Sequence, residues 1–435
     1  MASLRKLQLC NRDPSLGGKP KTATARSATA QRTIYTFVRC FWPYSQMPMF
    51  SDRTRWNLAE NRLSRTLAEL RASGKPVLDL TRSNPTECGF TYDEKAIQHA
   101  FRRPQLRIYQ PDPRGIRSAR EAVTAYYEQQ QIRIAPDDLL LTSGTSEAYS
   151  FVFRLLCNPG DEVLIPAPDY PLFDFLADLC DVKLVRYPLI YDHGWQLDFS
   201  ALSAAVSART KALIAVHPNN PTGHYTSAAE QAHLKDFCGQ RGIALIADEV
   251  FLDFSLKQSR ATSFAAASEV LTFTLSGLSK ICGMPQMKLA WIAVSGPAGE
   301  KIEALARLEV IADAYLSVGT PVQLAAPALL AMRATFQAQM MARLLANLRE
   351  LDAQLSAQSE CNRLLCEGGW SAILRIPATQ SDEDLAIALL TSAGAYVHPG
   401  YFYDFAQPGH AVVSLIVPED EFADGIRRVL AHFGG

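Results

Sequence analysis

Short, mostly apolar runs alternate along the chain with stretches whose apolar residues return every three or four positions. The runs are Asp138–Thr142, Glu162–Pro166, Lys183–Tyr187, Ala212–Val216, Ala244–Ala247 and Leu271–Leu275. Their length and β-branched content predict strands. Helical patterns lie between most of them, among them Arg117–Gln131 and the segment running from Ser143-Gly144-Thr145 to Leu156. This alternation predicts βαβ units and an α/β fold with a largely parallel sheet sandwiched by helices. Residues 322–357, rich in Ala, Leu, Met, Arg and Gln, predict one long helix. Shorter strands are expected after it at Trp370–Ile376, Ala395–His398 and Ala411–Val417, as in a second, smaller α+β domain.

The first 48 residues follow neither pattern. They carry Arg5, Lys6, Arg12, Lys19, Lys21, Arg26, Arg32 and Arg39 against one acid, Asp13. A disordered basic extension, or translation from an upstream start, accounts for this; Met47 and Met49 stand just before the first folded-looking segment, Asp52 to Ala72. An organellar transit peptide has the same Arg-rich, acid-poor composition. The run from Ile34 to Trp42 is too short and interrupted for a secretory signal.

Composition narrows the function classes. A chain of 435 residues, 48% hydrophobic and 20% charged, has enough material for two or more domains with real cores. A formal net charge of −1 provides no global field for nucleic acid or anionic membrane. No apolar run approaches the roughly 20 residues that span a bilayer. Nine scattered cysteines without a C-x-x-C pair suit a reducing, cytoplasmic compartment, and the eight histidines show no metal-ligand spacing. We therefore expect no metal, no nucleic acid and no membrane partner.

The chemistry lies at the ends of the runs, where ligands bind in α/β sheets. Lys280 follows Leu275-Ser276-Gly277-Leu278-Ser279; Asp248 stands thirty-two positions earlier (280 − 248); Asn220, in Asn219-Asn220-Pro221-Thr222-Gly223, stands twenty-eight before that (248 − 220). An amine, a carboxylate and an amide donor in this setting suit pyridoxal 5′-phosphate (PLP). That cofactor needs a lysine for its Schiff base, an acid at its pyridinium nitrogen and a donor for its phenolic oxygen.

From about Asp79 to its end the chain resembles the class I/II aminotransferases of the aspartate aminotransferase fold. The resemblance rests on motifs in order: Tyr109-Gln110-Pro111 with Gly115, Ser143-Gly144-Thr145-Ser146-Glu147, Pro168-Asp169-Tyr170-Pro171, Asn220-Pro221-Thr222-Gly223, Asp248-Glu249-Val250 and Ser279-Lys280. It implies a seven-stranded sheet in a large PLP-binding domain over 96–325. It implies an N-terminal arm and part of the small domain over 49–95, and a linking helix and small domain over 326–435. It also implies a homodimer with shared active sites, and an amino acid and a 2-oxo acid as substrates. Lys280 would carry the cofactor and move the substrate's Cα proton; Asp248 would keep the ring nitrogen protonated. Gly144, Thr145, Ser146, Ser279 and Lys288 would hold the phosphate, with Tyr109 reaching it from the partner subunit. Tyr170 would stack on the ring and Asn220 would bond its oxygen, while Ser83, Asn220 and Trp370 would face the substrate.

Four positions depart from the family. Phe251 replaces a tyrosine whose hydroxyl donates to the cofactor. Gly277 replaces a phosphate-binding serine three before the lysine, and Lys288 an arginine eight after it. Where the family has Arg-x-Ser to grip the substrate carboxylate, this chain has Val412-Val413-Ser414. Arg375 and Arg82 are candidate stand-ins, although the odd spacing of Arg375 from Trp370 puts the two on opposite faces of a regular strand. The expected activity is aminotransfer. The alternative is a PLP-dependent C–S lyase or decarboxylase on the same scaffold.

Overall fold

A computed structural model describes residues 49–257 and 262–434. The basic segment over 1–48, with the expectations placed on it, lies outside the described residues. The large sheet has eight strands, in the order Leu139–Thr142, Ala290–Ser295, Thr272–Gly277, Ala244–Asp248, Thr210–Val216, Glu162–Ala167, Lys183–Tyr191, Trp195–Leu197. The five strands from Thr272–Gly277 through Lys183–Tyr191 pair in parallel. Ala290–Ser295 runs antiparallel to both neighbours, and Trp195–Leu197 closes the other edge as a hairpin with Lys183–Tyr191.

All six expected strands are present. The seven-stranded sheet gains one short edge strand, Trp195–Leu197. Burial explains the legibility of the central strands: Ala244–Asp248 and Thr272–Gly277 are buried at every position. Apolar clusters on both faces of the sheet, one around Phe151, Phe153 and Phe173 and one around Leu202, Leu234 and Phe237, hold the covering helices.

The helix expected over 322–357 is two helices, Thr320–Ala331 and Arg333–Ser356, meeting at Met332. Composition favours helix throughout and cannot mark such a break. Beyond them, Asn362–Arg363, Ser371–Arg375, His410–Ser414 and His398–Pro399 form a four-stranded antiparallel sheet. Leu78–Asp79 pairs in parallel with Ala395–Tyr396, so the segment before the first large-sheet strand returns to the C-terminal part of the chain. Helix Arg62–Ala72 buries Leu63 and Leu67 in that same cluster, with Trp370, Val413 and Phe422.

Candidate active site

A cavity of about 290 Å³ opens where the carboxyl ends of the parallel strands meet the smaller antiparallel sheet. Its lining includes Asp248 at the end of Ala244–Asp248, Gly277 at the end of Thr272–Gly277, and Ser279 and Lys280 on the helical turn that follows. From the loop after Thr210–Val216 it takes Asn220, and from the smaller sheet Trp370, His398 and Ser414. The crossover rule for α/β sheets anticipates this placement.

The Lys280 amine is buried. It lies 4.8 Å from the centroid of the Trp370 ring and 5.3 Å from that of Phe251. Burial disfavours the ammonium and brings the pKa down to about 8, while Asp248 pulls in the opposite direction. Burial raises the Asp248 carboxyl to about 6, against two hydrogen bonds that favour its ionised form. The Val250 N–H donates to Oδ1 at 3.1 Å, and the Tyr149 hydroxyl donates to Oδ2 at 3.0 Å. Nearby cations oppose burial only weakly, so a cationic ring nitrogen placed against Asp248 would supply a missing counter-charge.

Gly144, Thr145 and Ser146 also line the cavity, at the start of helix Thr145–Leu156. No side chain caps this helix; its first internal bonds run from the Glu147 and Ala148 N–H groups to the Gly144 carbonyl, which leaves those of Thr145 and Ser146 at the open start. Glu147 instead turns back to accept from the Ser143 N–H at 2.7 Å. An anion at this helix start, with Lys288 lining the same cavity, fits the charge pattern of the site. Lys288 sits in the left-handed region at φ 53°. The amine, the ring-nitrogen acid, the aromatic face of Tyr170 and this anion cradle together fit PLP.

The remaining expected residues divide. Ser83, Tyr170, Asn220, Phe251, Ser279 and Trp370 all line the cavity. Tyr109 does not: it is 79% exposed and borders a separate small cleft with Leu316 and Thr320. Within one chain it touches no part of the site. Arg375 is also outside. It is exposed at the far end of its strand, paired with His410, with its guanidinium over the Tyr191 ring. It shares a strand face with Ser371, which lines the cavity, but stands four positions further along the strand. Arg82 is tied to Glu421 and to the Asp79 carbonyl.

Gly277 has a local cause. A Cβ there would come within 2.7 Å of the Ala290 Cβ and 2.9 Å of the Leu289 carbonyl oxygen, so the close pairing with Ala290 excludes a serine. Phe251 packs edge-on against Trp370 at 5.2 Å, and Phe254 does the same from another side.

Sequence reasoning missed Tyr149 and His398. Tyr149 was legible only as an apolar position of a helix. His398 is a buried ring, held neutral with its pKa brought down to about 4, with Nδ1 2.9 Å from the Tyr403 hydroxyl. No local motif marks either residue. The Pro168–Tyr170 turn carries a further arrangement unseen in sequence. Arg186 reaches Asp169 at 3.5 Å, Asp174 at 3.0 Å and Asp404 at 2.5 Å, and the Asp169 N–H donates to the Tyr403 carbonyl at 3.0 Å.

A family model for aminotransferases of class I and II matches residues 77–427. An alanine aminotransferase of Mycobacterium bovis is 28% identical over 374 residues, covering 83% of this chain and 86% of that one. A glutamate-pyruvate aminotransferase of Haemophilus influenzae is 31% identical over 257 residues, covering 58% and 63%. Among solved structures, an alanine aminotransferase from Pyrococcus furiosus superposes with a TM-score of 0.79 at 22% identity, covering 85% of this chain and 95% of that one.

Proposed function

We propose that this chain, which belongs to the class I and II aminotransferases, moves the amino group of a small neutral amino acid such as alanine to a 2-oxo acid, with PLP held on Lys280. The observation that carries the reading is the convergence on one cavity of a buried amine, a buried carboxylate and an uncapped helix start. The alanine and glutamate-pyruvate relatives support the choice of donor and acceptor.

PLP, when bound, supplies an electron sink for the charge left at the substrate's Cα. The chain's own residues do the rest. Burial keeps a substantial fraction of the Lys280 amine neutral near pH 8, as both a nucleophile and a base require. Once displaced, that amine can take the proton from Cα. Asp248, fixed through both oxygens, offers a negative charge to the ring nitrogen. Tyr170 and Trp370 supply aromatic surface to the cavity lining.

A homodimer completes the proposal. The segment after Pro104 exposes Leu106, Ile108 and Tyr109, and Met49 and Phe50 are also bare. A second copy covering them would bring Tyr109 to the partner's phosphate site. The seven described cysteines are free, which supports a reducing, cytoplasmic setting.

The test is a half-reaction. Holoenzyme mixed with L-alanine alone should convert to the amine form of the cofactor and release pyruvate in equal amount. 2-Oxoglutarate should then restore the starting spectrum. Ammonia release with no accumulation of the amine form would point to a lyase instead.

A further inference from the structure

Arg186 is not part of the cavity lining, yet it is tied to three places that are next to it in sequence. Its Nε is 3.5 Å from Asp169, and its Nη2 is 3.0 Å from Asp174 and 2.5 Å from Asp404. The three carboxylates come from separate elements. Asp169 is in the turn after strand Glu162–Ala167, Asp174 in the first turn of helix Leu172–Leu179, and Asp404 at the end of the helical turn Gly400–Tyr403.

Each carboxylate adjoins an aromatic residue that lines the cavity. Asp169 precedes Tyr170, Asp174 follows Phe173 and Asp404 follows Tyr403. The rings are packed on one another as well. Tyr170 meets Phe173 edge-on at 6.4 Å, and Phe173 meets Tyr149, the donor to Asp248, at 5.0 Å. One guanidinium thus connects the backbones that carry three aromatic residues of the lining.

The Asp169 link matters most. Its backbone is held by the Asn219 amide, which donates to the Pro168 carbonyl at 3.2 Å, and by its own N–H on the Tyr403 carbonyl. Its side chain is 1% exposed, and among the described residues Arg186 is the only cation within ion-pair distance. Burial pushes the Asp169 carboxyl up, and the Arg186 charge opposes that shift. Asp174 and Asp404 are 27% and 45% exposed, so water can replace Arg186 at those two but not at Asp169. Without Arg186, Asp169 must take up a proton or turn toward water, and either change frees the turn that carries Tyr170.

We infer that Arg186 is a positioning residue of this site: through Asp169, Asp174 and Asp404 it sets the aromatic lining of Tyr170, Phe173 and Tyr403, and with it the seat of the cofactor ring. The inference rests on the PLP reading of the cavity. A planar guanidinium addresses several acids in fixed directions, whereas an ammonium is a point charge. Displacing a supporting group by about 1 Å is enough to cost on the order of a hundredfold in rate.

The experiment titrates cofactor-free protein with PLP by equilibrium dialysis and records visible circular dichroism of the bound cofactor. The proteins are wild type, Arg186→Gln, Arg186→Lys, Tyr170→Ala and the double variant Arg186→Gln/Tyr170→Ala. Arg186→Gln should weaken PLP roughly tenfold and reduce the dichroism of each bound cofactor, because the ring is no longer held against one fixed face. Arg186→Lys keeps the charge without the fork and should fall between the two; it also decides the matter should Arg186→Gln fail to fold. In the Tyr170→Ala background the change at Arg186 should cost far less, because the ring it positions is gone. Wild-type affinity and dichroism in every folded Arg186 variant overturns the role. So does an equal penalty with and without the Tyr170 ring, which is what a merely structural ion pair would give. The parent reading is checked first: wild type that takes up no PLP overturns that reading, before any variant is compared.

Discussion

The hydroxyl of Tyr149 donates a 3.0 Å hydrogen bond to Oδ2 of Asp248, from a helix ninety-nine residues earlier in the chain (248 − 149). With the Val250 N–H on Oδ1, it fixes both carboxylate oxygens of a group that burial would otherwise push toward the neutral acid. The tyrosine is wedged edge-on against Phe173 at 5.0 Å, so its hydroxyl has little freedom to swing away.

Tyr149→Phe should therefore raise the Asp248 pKa above its value of about 6. The sign follows from what is lost: a donor to the ionised form. The variant needs a higher pH before Asp248 is charged. Equilibrium titration of the cofactor-free protein with PLP from pH 5 to 9 should show the acid limb of binding displaced upward, with the alkaline limb unchanged. An unmoved acid limb would mean that Tyr149 only fills space.

Lys280 burdens the fold without its cofactor. Its folded pKa of about 8 lies below the ordinary lysine value of 10.5, so the unfolded chain holds a proton there that the folded chain gives up. The cost is present in full below pH 8 and disappears as pH rises from 8 to 10.5. Cofactor-free Lys280→Met should accordingly melt higher than cofactor-free wild type at pH 7. The gain is on the order of 3 kcal/mol, and the gap should close toward pH 10.5. The same variant should lose aminotransfer by several orders of magnitude, since the covalent catalyst is gone.

Lys288→Arg should tighten PLP binding and Lys288→Ala should weaken it by roughly tenfold. A guanidinium can meet two phosphate oxygens at once, whereas an ammonium acts as a point charge. Equilibrium dialysis of cofactor-free protein measures both. Arg at 288 must tolerate φ 53°, so its melting temperature belongs beside its affinity.

Gly277→Ser should destabilise the protein by about 1–3 kcal/mol, because the new Cβ collides with Ala290 and the Leu289 carbonyl. Denaturant unfolding checks this. A serine accommodated without loss would show that the Thr272–Gly277 and Ala290–Ser295 strands can separate at this end.

The fold class and the aminotransferase family were legible in the sequence alone. Buried parallel strands must be apolar throughout, so Ala244–Ala247 and Leu271–Leu275 stood out. Lys280, Asp248 and Asn220 could be read as a set because each ends such a run. Short edge strands such as Trp195–Leu197 carry too few residues for a periodic signal, and the break at Met332 leaves helix propensity unchanged. Tertiary structure alone decided the rest. Which arginines reach the cavity depends on strand register and on ion pairs formed across hundreds of residues, as between Arg82 and Glu421. Tyr149 and His398 looked like ordinary core positions, because hydrogen bonds to Asp248 and Tyr403 join residues that only packing brings together.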